Sequence, residues 1–212
     1  ENPNQELEDE EFTQAFGLYT GISPQCRDEI NNIKNNDVDT NGLTMRSCDV
    51  VCFTDQASRL LGRYIANNTH LKNIDLSICG LTDERMALLF SRLVSSSSLE
   101  DLDMSYNTTF GVDGVRNMVP FLQNSPNLSR IDFCNNNNFN SEGFAVLVQA
   151  LQNTRVRTLK FEQNNITDIS ALNTNTLSQL EELVWDINQI GNAGIMILSN
   201  MLQKEESSLT KL

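Results

Sequence analysis

Apolar residues recur along the chain in one repeated frame. Each copy has apolar residues at its positions 1, 4 and 6 and an asparagine or cysteine at position 9. Five successive copies keep this frame: Leu71, Ile74, Leu76 and Cys79; Leu99, Leu102, Met104 and Asn107; Leu128, Ile131, Phe133 and Asn136; Val156, Leu159, Phe161 and Asn164; Leu180, Leu183, Trp185 and Asn188. A weaker copy precedes them with Thr40, Leu43, Met45 and Cys48, and Leu209 with Leu212 opens another. Successive residues at position 9 stand 31, 28, 29, 28 and 24 residues apart, so the chain is built from repeats.

The alternation around positions 4 and 6 predicts a short strand in each copy, with one buried face. The following segment changes to helical spacing: Thr82 can cap a helix whose apolar face runs through Met86, Leu89, Phe90 and Leu93. These apolar faces can be buried only against neighbouring copies, so at least about three copies must stack. The amide at position 9 can bond both N–H and C=O groups of the bend that ends the strand.

Two segments depart from the repeated pattern. Pro120 falls where a helix is expected, and should kink or shorten it because proline has no N–H to donate. Only 24 residues separate Asn164 from Asn188, and residues 169–176 are a poor helix sequence. Cys48 and Cys79 at position 9 supply only a weak donor, and we expect them to be core residues.

In these residues the segment 40–212 resembles the leucine-rich repeats of the ribonuclease-inhibitor-like subclass, to which the spacing of 28 and 29 residues is similar. The resemblance implies an α/β solenoid in the shape of a horseshoe. Short parallel strands would line its concave face and helices its convex face. About six repeats are expected, with the last one incomplete.

Residues 1–39 are predicted to be an acidic N-terminal segment with a helical cap. Six of the first eleven residues are acidic and none is basic. Phe12, Phe16 and Tyr19 recur at helical spacing, which predicts a capping helix behind a solvated acidic lead-in. A docking site for a basic partner is the alternative interpretation of this acidic segment.

Charge and composition exclude several classes of function. The chain has 15 basic and 28 acidic residues, and its net charge of −13 would repel a nucleic-acid backbone. No apolar stretch approaches the roughly 18–20 residues of a membrane-spanning helix, so we expect no direct membrane insertion. Five cysteines are an odd number, which favours reduced thiols and a cytoplasmic location, with an organelle or secretion as the alternative.

No catalytic constellation is visible, and the sequence predicts no cofactor and no metal site. The one histidine, His70, has no nucleophile to activate. Neither a glycine-rich phosphate loop nor a Cys-x-x-Cys pair is present. Residues 37–42 match the start of a calcium-binding loop, but Cys48 stands where the bidentate glutamate is needed. We therefore interpret this segment as a polar turn in which Asn41 and Gly42 supply the bend.

Function is consequently expected on the solvent side of the strands, at positions 2, 3, 5, 7 and 8 of each copy. Because adjacent parallel strands lie about 4.8 Å apart, neighbouring copies can pair opposite charges. The expected pairs are Asp101 with Arg130, Asp132 with Lys160, and Arg157 with Glu181. A surface lattice of ion pairs would explain these charges without any partner.

The remaining residues on this face favour a protein partner. Asp75 and Asp103 are stacked like charges, and Ile78, Tyr106 and Ile187 are apolar, which suits a partner with a basic and partly apolar surface. Aspartate between two apolar strand residues is also a common sequence pattern in repeats of this family, and this is an alternative explanation for the aspartates. The candidate partner-binding residues are Asp75, Ile78, Asp103, Tyr106, Arg130, Asp132, Arg157, Lys160, Glu162, Asp186 and Ile187.

These observations predict a non-enzymatic protein-interaction module, a scaffold or adaptor that binds a protein on its concave face. The resemblance also implies an alternative, a regulator of an enzyme such as a GTPase-activating or inhibitor protein. The copy that Leu209 and Leu212 open has no closing cap. An uncapped repeat end exposes apolar core, so we expect a surface for self-association there.

Overall fold

The structure, a computed structural model, describes residues 3–17, 22–46, 53–172, 179–186, 188–203 and 208, and the side chains from residue 9 onward. Tyr19, Cys48, Cys52, Ile187, Leu209 and Leu212 lie outside the described residues, and so do the predictions that fall on them. The elements of the described part are α1 (Pro3–Phe16), α2 (Pro24–Lys34), β1 (Gly42–Thr44), α3 (Asp55–Asn67), β2 (Asn73–Asp75), α4 (Asp83–Phe90), β3 (Asp101–Asp103), α5 (Val112–Asn124), β4 (Arg130–Asp132), α6 (Ser141–Ala150), β5 (Thr158–Lys160), β6 (Glu182–Val184) and α7 (Gly191–Leu202).

The strands form one parallel sheet in chain order, from β1 to β6, as repeated units require. The predicted frame sets the register: position 4 of each copy pairs with position 4 of the next. That column consists of Leu43, Ile74, Leu102, Ile131, Leu159 and Leu183, all buried. The α/β solenoid with parallel strands is therefore confirmed.

Position 6 forms a second buried column behind the strands. Its members are Met45, Leu76, Met104, Phe133, Phe161 and Trp185. Backbone bonds hold them in register, as when the N–H of Met104 donates to the carbonyl of Asp132. The rings of Phe133 and Phe161 stack with centroids 6.2 Å apart. Stacking of successive turns thus buries the continuous core that one turn could not bury alone.

Position 9 forms a ladder of asparagines along the bends that end β3 to β6, and all of them except the partly buried Asn188 are buried. The amide nitrogen of Asn107 donates to the carbonyls of Leu76 (2.9 Å) and Met104 (3.0 Å), and its oxygen accepts from the N–H groups of Cys79 and Leu81. Asn136, Asn164 and Asn188 continue the ladder. At position 9 of the copy before Asn107, the thiol of Cys79 donates to the carbonyl of Met45 at 3.1 Å, so Cys79 is a core residue as predicted.

At the start of several helices, a capping side chain accepts a hydrogen bond from a backbone N–H of the first turn. Thr82 accepts from the N–H of Arg85 at 3.3 Å, which confirms the predicted cap of α4. Helix α5 begins after Gly111, which has no capping side chain. Instead, Asp83 of the preceding helix accepts from the N–H groups of Gly111 (2.8 Å) and Gly114 (2.7 Å). One repeat therefore caps the helix of the next.

The predicted acidic lead-in is wrong for the described residues, because α1 already begins at Pro3 and includes five of the six acids. Glu1 lies outside the described residues. Proline is favoured in the first turn of a helix, and acids are favoured near its N-terminus. Asp9 lies 2.5 Å from Lys34, and Glu11 lies 3.4 Å from Arg63. The acidic helix is thus anchored to the chain's own bases. The division at residues 39 and 40 stays a prediction.

Of the two effects expected of Pro120, a kinked or a shortened helix, the shortening is wrong, since α5 runs on to Asn124. A proline inside a helix costs about 3 kcal/mol. Val115, Met118 and Phe121 are buried on one face of α5, which packs between α4 and α6. The burial of this apolar face offsets the cost of the helical hydrogen bond that Pro120 cannot form.

The weak helix sequence behaves as predicted in its described part, because residues 165–172 are not helical.

The segment that resembles a calcium loop is a turn, as predicted. Asp37 accepts from the N–H of Asp39 with its side chain and from the N–H of Thr40 with its carbonyl. The bend lies earlier than expected, since Asn41 already joins the sheet ladder and Gly42 begins β1. The described cysteines, Cys26, Cys79 and Cys134, are all buried.

Candidate functional site

Position 5 of the repeats forms a charged column on the solvent side of the sheet. The register places Thr44, Asp75, Asp103, Asp132, Lys160 and Val184 side by side in that order. Three carboxylates therefore stand on adjacent strands, about 4.8 Å from one to the next. A basic residue, Lys160, comes only on the next strand, β5.

Each of these aspartates also has a local role that the sequence did not reveal. Asp75 accepts from the N–H of Ser77 at 2.9 Å, and Asp103 accepts from the N–H of Ser105 at 2.8 Å. Asp132 makes the equivalent bond to the N–H of residue 134 at 2.9 Å. An aspartate at position 5 thus closes an Asx turn as the chain leaves the strand.

Burial and the stacked charges perturb the middle aspartate of the column. Burial, with smaller contributions from the charges of Asp132 and Asp75, raises the pKa of Asp103 above its ordinary value. Hydrogen bonds from Ser105 oppose this rise. The column is consequently a place where a positive charge from outside would be favoured.

All three predicted ion pairs are present. They are Arg130 with Asp101 (2.7 Å), Lys160 with Asp132 (3.5 Å), and Arg157 with Glu181 (3.3 Å). A fourth pair, Lys72 with Glu100 at 2.9 Å, obeys the same cross-strand rule and was missed. Asp75 and Asp103, in contrast, form no ion pair with any described residue. The position-5 carboxylates without an ion-pair partner among the described residues therefore lie on β2 and β3.

A shallow cleft of about 260 Å³ lies over these strands. It brings together five of the predicted residues, namely Asp75, Asp103, Arg130, Asp132 and Lys160, and adds Asp101, Thr44 and Asn73. The other described candidates lie outside its lining. Arg157 belongs to position 2, whereas Glu162 and Asp186 belong to position 7, where their carbonyls accept from the N–H groups of Asn135 and Gln163.

Position 7 is not a solvent-facing position in the first three copies, contrary to our expectation. Ser77, Ser105 and Cys134 are buried because the chain bends inward there. Burial, together with the nearby charge of Asp132, raises the pKa of Cys134 to about 12. Sequence reasoning missed this inward turn, although the small size of these residues was a signal for it.

Position 8 carries the two exposed apolar side chains of this surface. Ile78 is 38% exposed and Tyr106 is 51% exposed, as predicted. Both have a left-handed backbone, with φ of 57° and 59°. Asn135 and Gln163 occupy the same position in the next copies and share this conformation. Ile187 would be the last member of the column, but it lies outside the described residues.

Comparison with solved structures identifies the architecture. The chain is similar to the C-terminal domain of tropomodulin from Caenorhabditis elegans, with 13% identity and a TM-score of 0.51, over 84% of this chain and 90% of that one. It is also similar to a chain of the yeast complex of Rad7 and Elc1, with 17% identity and a TM-score of 0.60, over 99% of this chain and 54% of that one. The chain has the fold of a leucine-rich-repeat solenoid. No protein-family model matches the sequence, and a search of curated proteins found no match.

Two kinds of feature are absent from the described part of the chain, a candidate metal site and a membrane-spanning helix. Its His, Cys, Asp and Glu side chains are nowhere grouped in threes that could hold a metal ion. None of its described helices is long and apolar enough to cross a membrane. The features that remain to be explained are the carboxylate column and the apolar side chains beside the strand ends.

Proposed function

We propose that this chain is a non-enzymatic protein-interaction module whose concave sheet binds a protein with a basic and partly apolar surface. The observation that carries the proposal is the pair of exposed apolar side chains, Ile78 and Tyr106, on left-handed backbone.

This arrangement is costly for an isolated chain. A left-handed conformation costs an ordinary residue roughly 1–2 kcal/mol, and it is least favourable for a β-branched one such as Ile78. Asparagine adopts it more readily, and Asn135 holds the same position in a later copy. Isoleucine and tyrosine in these two turns are explained if their side chains fill pockets of a partner, where aromatic residues contribute most.

The carboxylate column supports a basic partner. Asp75 and Asp103 pair with no described base, and the pKa of Asp103 is raised by burial and by neighbouring like charge. A lysine or arginine from a partner would relieve this repulsion and form charge-assisted bonds. Complementary charge of this kind also increases the association rate.

Affinity capture from a cell extract, with two matched double variants, tests the proposal. In the first, Asp103→Asn keeps the acceptor for Ser105, and Tyr106→Asn keeps the left-handed backbone, so the fold should persist. The control removes one exposed carboxylate and one exposed apolar side chain elsewhere, through Asp113→Asn and Val38→Asn. We expect the first variant to lose the captured protein and the control to retain it. Equal capture by both would refute a role for the concave face.

If a captured partner is an enzyme, its activity with and without this chain distinguishes a scaffold from the alternative, a regulator. An unchanged activity would remove the regulator hypothesis.

We also propose that the chain self-associates through the C-terminal end of its sheet. The two ends of the sheet differ in how their edge strands are covered. At the β1 end, Glu29 of α2 accepts from the N–H of Thr44 at 2.9 Å and so covers that strand. Among the described residues no element covers β6, and α7 exposes Ile195, Met196 and Leu202. We expect Met196→Glu to convert a dimer into a monomer in sedimentation velocity. A wild type that is monomeric at every concentration would refute this proposal.

A further inference from the structure

A second cleft, of about 340 Å³, lies on the helical side of the solenoid, away from the strands. Helices α1 and α3 and the turn after α4 form it. Its lining consists of Glu11, Gln56, Arg59, Leu60, Arg63 and Arg92. Three arginines therefore line one depression of a chain whose net charge is −13.

The fold fixes the positions of these arginines. Arg59 and Arg63 are four residues apart on α3, so they share one face of the helix. Arg92 follows the end of α4, and α3 approaches α4 closely at Gly62. A Cβ atom on Gly62 would lie 2.2 Å from the carbonyl oxygen of Leu89. The close approach of two helices thus joins bases that are distant in sequence.

Few carboxylates of the chain itself balance the positive charges of this cleft. Glu11 lies 3.4 Å from Arg63 and is the one carboxylate in the lining. Arg59 and Arg92 form no ion pair with any described residue. Elsewhere on the helical side, Arg116 lies within 2.6 Å of both Asp113 and Glu142. Like charges one helical turn apart are destabilising unless an anion neutralises them.

We propose that this arginine cleft binds a short acidic segment of a partner protein, through carboxylate side chains that pair with Arg59, Arg63 and Arg92. Guanidinium groups suit carboxylates because the two planar groups form paired hydrogen bonds. The site lies on the opposite side of the sheet from the concave surface and takes a ligand of opposite charge. It is therefore independent of the function proposed above.

Size and surroundings favour a short peptide over a long polyanion. The cleft accommodates a few side chains, and two acids limit its positive surface: Glu11 is in its lining, and Asp55 lies one turn before Arg59 on α3 with its side chain 68% exposed. An extended nucleic acid or an anionic bilayer would meet the net negative charge of the whole chain. A short segment can place its carboxylates in the cleft without this repulsion.

Glu11 acts in this proposal as an internal competitor. Its carboxylate already contacts Arg63, so an incoming carboxylate must share or replace that contact. Removing the charge of Glu11 should therefore strengthen binding. A purely structural cluster of arginines would predict no such gain.

The test is fluorescence anisotropy with a labelled peptide of six glutamates at low ionic strength, using the full chain. The decisive variant is the double change Arg59→Gln and Arg92→Gln. Its control, Arg116→Gln with Arg155→Gln, removes the same number of positive charges from other parts of the surface. Glu11→Gln is the third variant, and thermal unfolding of each variant verifies the fold.

We expect saturable binding by the wild type that weakens as salt screens the charges. The decisive variant should bind about tenfold more weakly, the control within about twofold of wild type, and Glu11→Gln more tightly. Absence of wild-type binding, or an equal loss in the control, would overturn the proposal. Tighter binding to an RNA oligonucleotide or to phosphatidylserine vesicles than to the peptide would overturn the assignment to an acidic protein segment.

Discussion

Replacing Asn136 with alanine should break the asparagine ladder at its centre. This side chain is fully buried, and its amide nitrogen donates to the carbonyls of Met104 (3.2 Å) and Phe133 (2.8 Å). Its oxygen accepts from the N–H of Asn107 at 2.6 Å. The substitution removes the partners of three backbone groups in a bend that neighbouring turns cover.

The expected cost follows from those three groups. A buried polar group left without a partner costs about 1–3 kcal/mol, and relaxation makes the sum smaller than three independent losses. We therefore expect Asn136→Ala to lower the free energy of unfolding by about 3–5 kcal/mol. Since a whole domain is stable by only about 5–15 kcal/mol, the loss should be evident in urea titrations followed by circular dichroism.

Asn137→Ala is the matched control, because it makes the same chemical change at an exposed neighbour. Its effect should stay within about 0.5 kcal/mol. Asn136→Cys copies the residue of the earlier slot, where the thiol of Cys79 donates to a carbonyl, and should recover part of the loss. A difference below about 1 kcal/mol between the alanine variants at positions 136 and 137 would refute the stabilising role of the ladder.

Three further predictions concern the strand ends. Ile78→Asn should raise the free energy of unfolding by about 0.5–1 kcal/mol because asparagine tolerates the left-handed backbone; an unchanged or lower melting temperature would contradict this. Asp103→Asn should stabilise the protein at pH 7 by about 0.4–2 kcal/mol, because it removes a partly buried charge and its repulsion from two like-charge neighbours. Because the pKa of Asp103 is raised in the folded state, its ionised form weakens folding above that pKa, and the gain should disappear as the pH falls toward the ordinary carboxyl pKa. Finally, Cys134, with its pKa raised to about 12, should resist iodoacetamide at pH 8 until urea unfolds the chain; peptide mapping that finds it alkylated in the native protein would refute its burial.

The repeat frame predicts most of the fold because the side-chain period of a strand is two. Once positions 4 and 6 are identified, the register of parallel strands has one solution that buries both columns. That register in turn predicts the cross-strand ion pairs, such as Arg130 with Asp101. Hydrophobic pattern thus determines the sheet and the neighbours on its surface.

The pattern does not determine the geometry of the bends. Whether Ser77 faces inward and Ile78 adopts a left-handed backbone depends on the asparagine ladder and on hydrogen bonds between repeats. Asn135, a residue that tolerates this backbone, was the available signal at position 8. The arginine cleft was hidden for a similar reason. It depends on how closely α3 packs against α4 at Gly62, which no periodicity encodes.

These bends change which residues are evidence for a partner. The aspartates at position 5 are conspicuous in sequence, yet their bonds to the N–H two residues later give each a reason to be present in an isolated chain. Ile78 and Tyr106 have no such reason, because the backbone there disfavours them and water surrounds much of each side chain. The proposal of a partner therefore depends more on position 8 than on the carboxylates. For the same reason, an alanine at position 103 would remove both the turn-closing acceptor for the N–H of Ser105 and the charge that a partner would contact. Asparagine removes only the charge, so it separates the two effects.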